Sequence, residues 1–268
     1  MLLRRPFVLV VILAGLAAAC AAADAKDNVF TITVAPPTTT KDVQVRYYLG
    51  GQFGGFSASS SATGRDNKIV IQTLHDNTPA TSFRAIAYAP GCQFVTYSVD
   101  DLASGNREGQ FECQKLPTTL LQGRVPLSGV AGAEGKELQV TVLYVCNWAP
   151  QFFKMGPGAI SPLFVAKTTV ATDGTFSFEL PDFTSDPLWS SLAKDAALNF
   201  YLVDAASGVP LHALTPPAGL SQGNALKITT GYPGEMEFSL QSRQIPDGPI
   251  VSASPALLNL LPRSTSTK

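Results

Sequence analysis

Glu137-Leu138-Gln139-Val140-Thr141-Val142-Leu143-Tyr144-Val145-Cys146 carries the period that sets the fold class. Its even positions are Leu138, Val140, Val142, Tyr144 and Cys146, whereas the odd ones begin Glu137, Gln139 and Thr141. Successive side chains of a strand point to opposite faces, so an apolar set recurring every second residue describes a half-buried β-strand. Val29 to Val34 repeats the pattern, with Phe30, Ile32 and Val34 on one face and Thr31 and Thr33 on the other. Residues 42–49, 68–73, 82–88, 92–99 and 108–113 read as further strands, and so do 119–125, 163–170, 175–180, 197–204, 225–230 and 235–241. Asp173-Gly174 lies between two alternating runs and predicts a hairpin turn. Asp186-Pro187-Leu188-Trp189 predicts the single short helix, with Pro187 at the first helical position and Leu188, Trp189 and Leu192 on one face.

These runs predict an all-β chain of two tandem antiparallel β-sandwich domains, transthyretin-like or immunoglobulin-like in class, spanning 28–115 and 116–243. Lys115-Leu116-Pro117 marks the boundary, because proline stops a ladder and a new apolar strand opens directly after it. The segment 244–268 carries several prolines, ends in Ser264-Thr265-Ser266-Thr267-Lys268, and reads as a mobile tail.

Charged residues make up 15% of the 268 and the hydrophobic set 45%, which excludes the disordered class. Basic and acidic residues number 19 and 20, so the positive field that a phosphate backbone demands is missing, and no nucleic-acid partner is expected. Residues 1–20 have the layout of a signal peptide: Arg4 and Arg5, then an apolar run from Phe7 to Leu16, then Ala17-Ala18-Ala19-Cys20. The run decays into alanine before it reaches the roughly 20 apolar residues of a membrane span. Export to the cell envelope or the medium is therefore expected, and loss of Arg4 and Arg5 leaves 17 basic residues against 20 acidic.

Cys20 resembles the acceptor cysteine of bacterial lipoproteins, which implies a membrane contact through a lipid anchor there. Ala17 stands where that family prefers leucine, and ordinary cleavage within Ala21 to Ala23 is the alternative. Cys92 and Cys113 sit in strand-like aromatic contexts on either side of a turn-rich segment, and they are expected to form a disulfide. Cys146 falls on the inward face of its strand as a buried thiol.

Leu121-Gln122-Gly123-Arg124-Val125, a valine-rich strand, and then Thr172-Asp173-Gly174-Thr175-Phe176-Ser177-Phe178 running to Leu180-Pro181 follow one another in the second half. This order resembles the carboxypeptidase regulatory-like domains, which are transthyretin-like sandwiches. The resemblance covers roughly Leu116 to Gln241 and implies an accessory module that brings no fixed catalytic residues. Related adhesin domains carry an internal Lys-Asn or Lys-Asp isopeptide crosslink, a possibility for this chain too.

Motifs for chemistry fail on their context. Gly219-Leu220-Ser221-Gln222-Gly223 has the letters of a nucleophile elbow, but Thr215-Pro216-Pro217 stands where a buried strand is required and no histidine follows His212. His75 and His212 each lack a neighbour at metal-ligand spacing. Gly135-Lys136 lacks the upstream glycine and the following hydroxyl of a phosphate loop. Asp173, Asp182 and Asp186 suit calcium by type, but turn and cap duties explain Asp173 and Asp186. No catalytic residue, metal or cofactor is expected.

Asn147-Trp148-Ala149-Pro150-Gln151-Phe152-Phe153-Lys154-Met155 places three aromatics in a connection where polar turn residues are usual. Such residues either fold back on the sheet or present a contact surface, and Trp148, Phe152 and Phe153 are the candidate ligand contacts. The chain thus reads as a non-catalytic exported structural or binding protein with a protein or glycan ligand. A carbohydrate-binding module using those aromatics is the alternative.

Overall fold

The structure, a computed structural model, describes residues 28–50, 67–72, 80–148, 162–189, 193–241, 245 and 250. The expected signal segment and Cys20 lie outside them. Six strands form the first half: β1 (Asn28–Val34), β2 (Gln44–Gly50), β3 (Lys68–Gln72), β4 (Ser82–Tyr88), β5 (Val95–Val99) and β6 (Glu108–Phe111). The second half begins with β7 (Thr118–Arg124), β8 (Leu138–Trp148), β9 (Leu163–Thr169), β10 (Thr175–Pro181) and β11 (Ala193–Asp204). It continues with β12 (Pro210–Thr215), β13 (Ser221–Gln222), β14 (Ala225–Lys227), β15 (Glu235–Glu237) and β16 (Ser239–Gln241).

Two sandwiches result. In the first, the sheet β3-β1-β6 faces the sheet β2-β4-β5, and Phe30, Ile32, Val45, Tyr47, Phe83 and Phe111 meet between them. In the second, β10-β7-β15 faces a larger sheet built around β8 and β11, which also holds β9, β12, β14, β13 and β16. Leu138, Val140, Val142 and Tyr144 point inward as the alternation requires, and meet Leu121, Phe176, Phe178 and Phe238. The side chain of Cys146 lies outside the described set.

Not every pairing is antiparallel. In each sandwich the opening strand also pairs in parallel with a late one: β1 with β6, and β7 with β15. The halves share one strand order, with β2-β4-β5 in the first matched by β8-β11-β12 in the second.

Asp173-Gly174 makes a turn, with the Gly174 N–H donating to the Ala171 carbonyl at 2.9 Å. The turn does not close a hairpin, however. β9 pairs with β8 and β10 pairs with β7, so the chain crosses from one sheet to the other at this turn. β10 pairs with β7 along seven register pairs. The expected strand 235–241 likewise splits at Phe238 into β15 and β16, which belong to opposite sheets. β12, which opens on Pro210, has no counterpart among the strands read from sequence; proline is tolerated as the first residue of a strand.

Phe183–Ser185 forms a single 3-10 turn whose cap, Asp182, accepts from the Thr184 N–H at 3.0 Å. Asp186 accepts from the Leu188 N–H at 2.8 Å, as a cap does. Leu192 of the expected helix lies outside the described residues.

Candidate functional site

Among the described residues, three of the buried polar side chains, Gln44, Arg46 and Asp186, lie where the two sandwiches meet. β4 is buried on both faces: Phe83, Ala85 and Ala87 fill the first core, whereas Ile86 and Tyr88 belong to the core of the second sandwich. Phe94, in the connection before β5, follows them. Its ring stacks on Phe183 at 5.8 Å between centroids, and Tyr144 lies 4.7 Å from Phe183. Tyr88 stands 5.2 Å from Phe94, so four aromatic residues from both halves share one cluster at favourable ring separations.

Polar groups stand beside this cluster, and each has a partner in the opposite half. The Gln44 carboxamide donates to the Phe164 carbonyl and accepts from the Phe164 N–H, both at 2.8 Å. The Arg46 guanidinium donates to the Pro162 carbonyl at 2.6 Å and to the Val45 carbonyl at 3.3 Å. Burial pulls its pKa down to about 10, and it keeps its charge at neutral pH. Asp186, which is buried, accepts from the Phe94 N–H at 2.7 Å while its other oxygen caps Leu188. Each group satisfies backbone that would otherwise be buried without a partner, which costs about 1–3 kcal/mol per group.

Cys92 and Cys113 form a disulfide. It closes the segment beside the joint, where Gln93 N–H donates to the Gln114 carbonyl at 2.8 Å and Leu116 N–H to the Gly91 carbonyl at 2.9 Å. The disulfide thus holds the crossing from the first half to the second.

The remaining candidates separate widely. Ser221 follows a 3-10 turn (Ala218–Leu220) and sits in a two-residue strand paired with β14, the reverse of the strand-then-helix order that an elbow needs. His212 lies in β12 opposite Leu202, and His75 lies outside the described residues. Lys136 pairs with Asp204 at 3.1 Å. Asp173, Asp182 and Asp186 each accept from backbone N–H groups two residues on, and among the described residues no cluster of three His, Cys, Asp or Glu is placed to hold a metal. Every lysine whose side chain is described is exposed. The inward positions of β1 and β7 are Phe30, Ile32, Val34, Leu121 and Gly123, so neither core holds a lysine for an isopeptide bond there. Trp148 ends β8 opposite Ala193, but its side chain, Phe152 and Phe153 are outside the described set.

A cavity of about 510 Å³ opens at the end of the second sandwich, lined by Leu127, Val130, Ala133, Lys136, Leu138 and Val170. A smaller one of about 170 Å³ lies on the outer face of the larger sheet, between Thr141, Lys167 and Ile250.

No family model matches the chain, and no curated protein is similar to it. Solved structures similar to it include a mutant shaft pilin from Lactobacillus rhamnosus GG, at 9% identity over 81% of this chain and 98% of the pilin, with a TM-score of 0.21. A streptococcal ancillary pilin follows at 14% identity, 82% and 64% coverage, and a TM-score of 0.24. Two B repeat units of the collagen-binding protein of Staphylococcus aureus align at 6% identity with a TM-score of 0.22; the chain spans 48% of their length.

Proposed function

We propose that this protein is an exported, non-catalytic structural module of the cell envelope or its surroundings, built to hold two β-sandwiches in one fixed orientation. The observation that carries the reading is the joint: Gln44, Arg46 and Asp186 give their buried hydrogen bonds to backbone of the opposite half. Domains joined by a mobile linker share a smaller and more polar contact, whereas a buried aromatic cluster flanked by hydrogen bonds between the halves resists relative motion. Such a fixed pair of sandwiches suits scaffolding, adhesion or display of a binding surface.

The domain boundaries 28–115 and 116–243 belong to this reading, supported by strand ladders that stay within each half. So do the carboxypeptidase regulatory-like class of the second half, a lipid anchor at Cys20, and a protein or glycan contact at Trp148, Phe152 and Phe153. The leader supports export, and the disulfide fits an oxidising compartment.

Fractionation of cells producing the full chain, followed by intact mass of the recovered protein, tests the proposal. The expected product is outside the cytoplasm, shortened at its N-terminus and oxidised at Cys92 and Cys113; a diacylglycerol adduct would place the anchor at Cys20. Recovery of the unprocessed, reduced chain from the cytoplasm would sink it.

A further inference from the structure

Part of the outer face of the larger sheet in the second sandwich, beside the polar Gln139, Thr141 and Lys167, is apolar where water would ordinarily meet it. An antiparallel sheet with one solvated side alternates polar residues on that side. Here Leu143, Tyr201 and Val203 point outward, and they form a buried cluster with Phe164. The first sandwich also buries the outward side of its corresponding sheet. In its sheet β2-β4-β5, Gln44, Arg46, Ile86 and Tyr88 point outward and are buried, because the second sandwich is seated on them. Since β2-β4-β5 and β8-β11-β12 share one strand order, the two faces are equivalent in the two halves.

The second face has an occupant of its own. Ile250, five percent exposed and far down a segment whose composition reads as a mobile tail, is part of the outer cluster with Leu143, Phe164, Tyr201 and Val203. Its backbone N–H donates to the Gly208 carbonyl at 2.9 Å, in the turn that joins β11 to β12. On the first face the occupant likewise supplies a buried apolar side chain, Leu163 in one cluster with Ile86 and Tyr88, and backbone hydrogen bonds, those of Phe164 to the Gln44 carboxamide.

We infer that the outer face of β8-β11-β12 is a second docking face, equivalent to the joint between the sandwiches, and that its occupant is this chain's own C-terminal segment, seated at Ile250. The seated Ile250 acts as a strap: it closes a surface that would otherwise be open for a further sandwich. The inference goes beyond the proposed structural role and does not depend on export.

Two variants of the full-length protein and one peptide test it. Ile250→Asp is expected to raise amide exchange at least tenfold across residues 139–145 and 199–204 while exchange in β1 to β6 stays as in the parent. A chain ending at Gly248 is expected to bind a synthetic peptide of residues 245–268 at least tenfold more tightly than the full chain does, and to ignore the same peptide carrying Ile250→Asp. Unchanged exchange in the substituted protein, or equal peptide binding by the two chain lengths, overturns the assignment. A shortened chain that dimerises and leaves the peptide unbound also overturns it, because the face would then belong to a second copy. Should the shortened chain fail to fold, the exchange comparison of Ile250→Asp with the conservative Ile250→Val decides: equal exchange in the two overturns the strap.

Discussion

The Gln44 carboxamide stands beside Phe164 as a neighbouring strand would, giving its N–H to the Phe164 carbonyl and taking the Phe164 N–H, each at 2.8 Å. Among the described strands β9 is paired only with β8, so without Gln44 the Phe164 backbone groups would face a buried joint with no ladder partner. One side chain from the first half completes the ladder of the second. Gln44→Ala leaves both Phe164 groups without a partner and is expected to destabilise by roughly 2–5 kcal/mol. Urea denaturation measures it, and a change below about 0.5 kcal/mol, the size of an ordinary surface substitution, would show that the pair does not couple the halves.

Asp186 serves both halves at once, accepting from Phe94 and from Leu188. Asp186→Ala strands two N–H groups and should destabilise by roughly 2–4 kcal/mol. Asp186→Asn keeps one acceptor oxygen and should lose about half as much. Thermal melts of the two variants, compared with the parent, give the ordering; equal losses would count against the two-sided role.

The Cys92–Cys113 disulfide spans a sequence separation of 21. On the chain-entropy model a loop of that size stabilises by about 3 kcal/mol. Reduction with a thiol, or the double change Cys92→Ser with Cys113→Ser, should lower the urea midpoint accordingly. An unmoved midpoint would mean that the reduced chain is already held closed by the Gln93 and Leu116 hydrogen bonds.

Gly174 combines a φ of +87° with a neighbour that leaves no room for a side chain: an added Cβ would lie 2.1 Å from the Val125 carbonyl oxygen. Gly174→Ala should therefore cost at least about 2 kcal/mol, since strain in that region and a backbone clash add. Chemical denaturation checks it. Gly135→Ala, with φ +68° but nothing within 4 Å, isolates the conformational part.

Burial raises the Tyr88 and Tyr97 hydroxyls well above the ordinary tyrosine value. The folded state therefore favours their neutral form, and the stability they contribute is complete below the unfolded pKa of about 10 and is lost as pH rises beyond it. Absorbance at the phenolate band should show these tyrosines ionising together with alkaline unfolding. Ionisation near the ordinary value in a protein whose circular dichroism is still native would contradict their burial.

The period-two runs determined most of the architecture by themselves. Leu138, Val140, Val142 and Tyr144 can share a face only in a strand, and their apolar character places that face in a core. Cys92 and Cys113 were legible as a pair for a similar reason, since their flanking strands bring them together across one turn-rich segment. Which sheet each strand joins was not legible, because alternation marks a strand's buried face and leaves its neighbours unspecified. The crossing at Asp173-Gly174 and the split at Phe238 show as much. Nor could local patterning foresee that Gln44, Arg46 and Asp186 are buried. Their partners Phe164, Pro162 and Phe94 lie 120, 116 and 92 residues away, and only the packing of one sandwich against the other removes the water that would otherwise satisfy them.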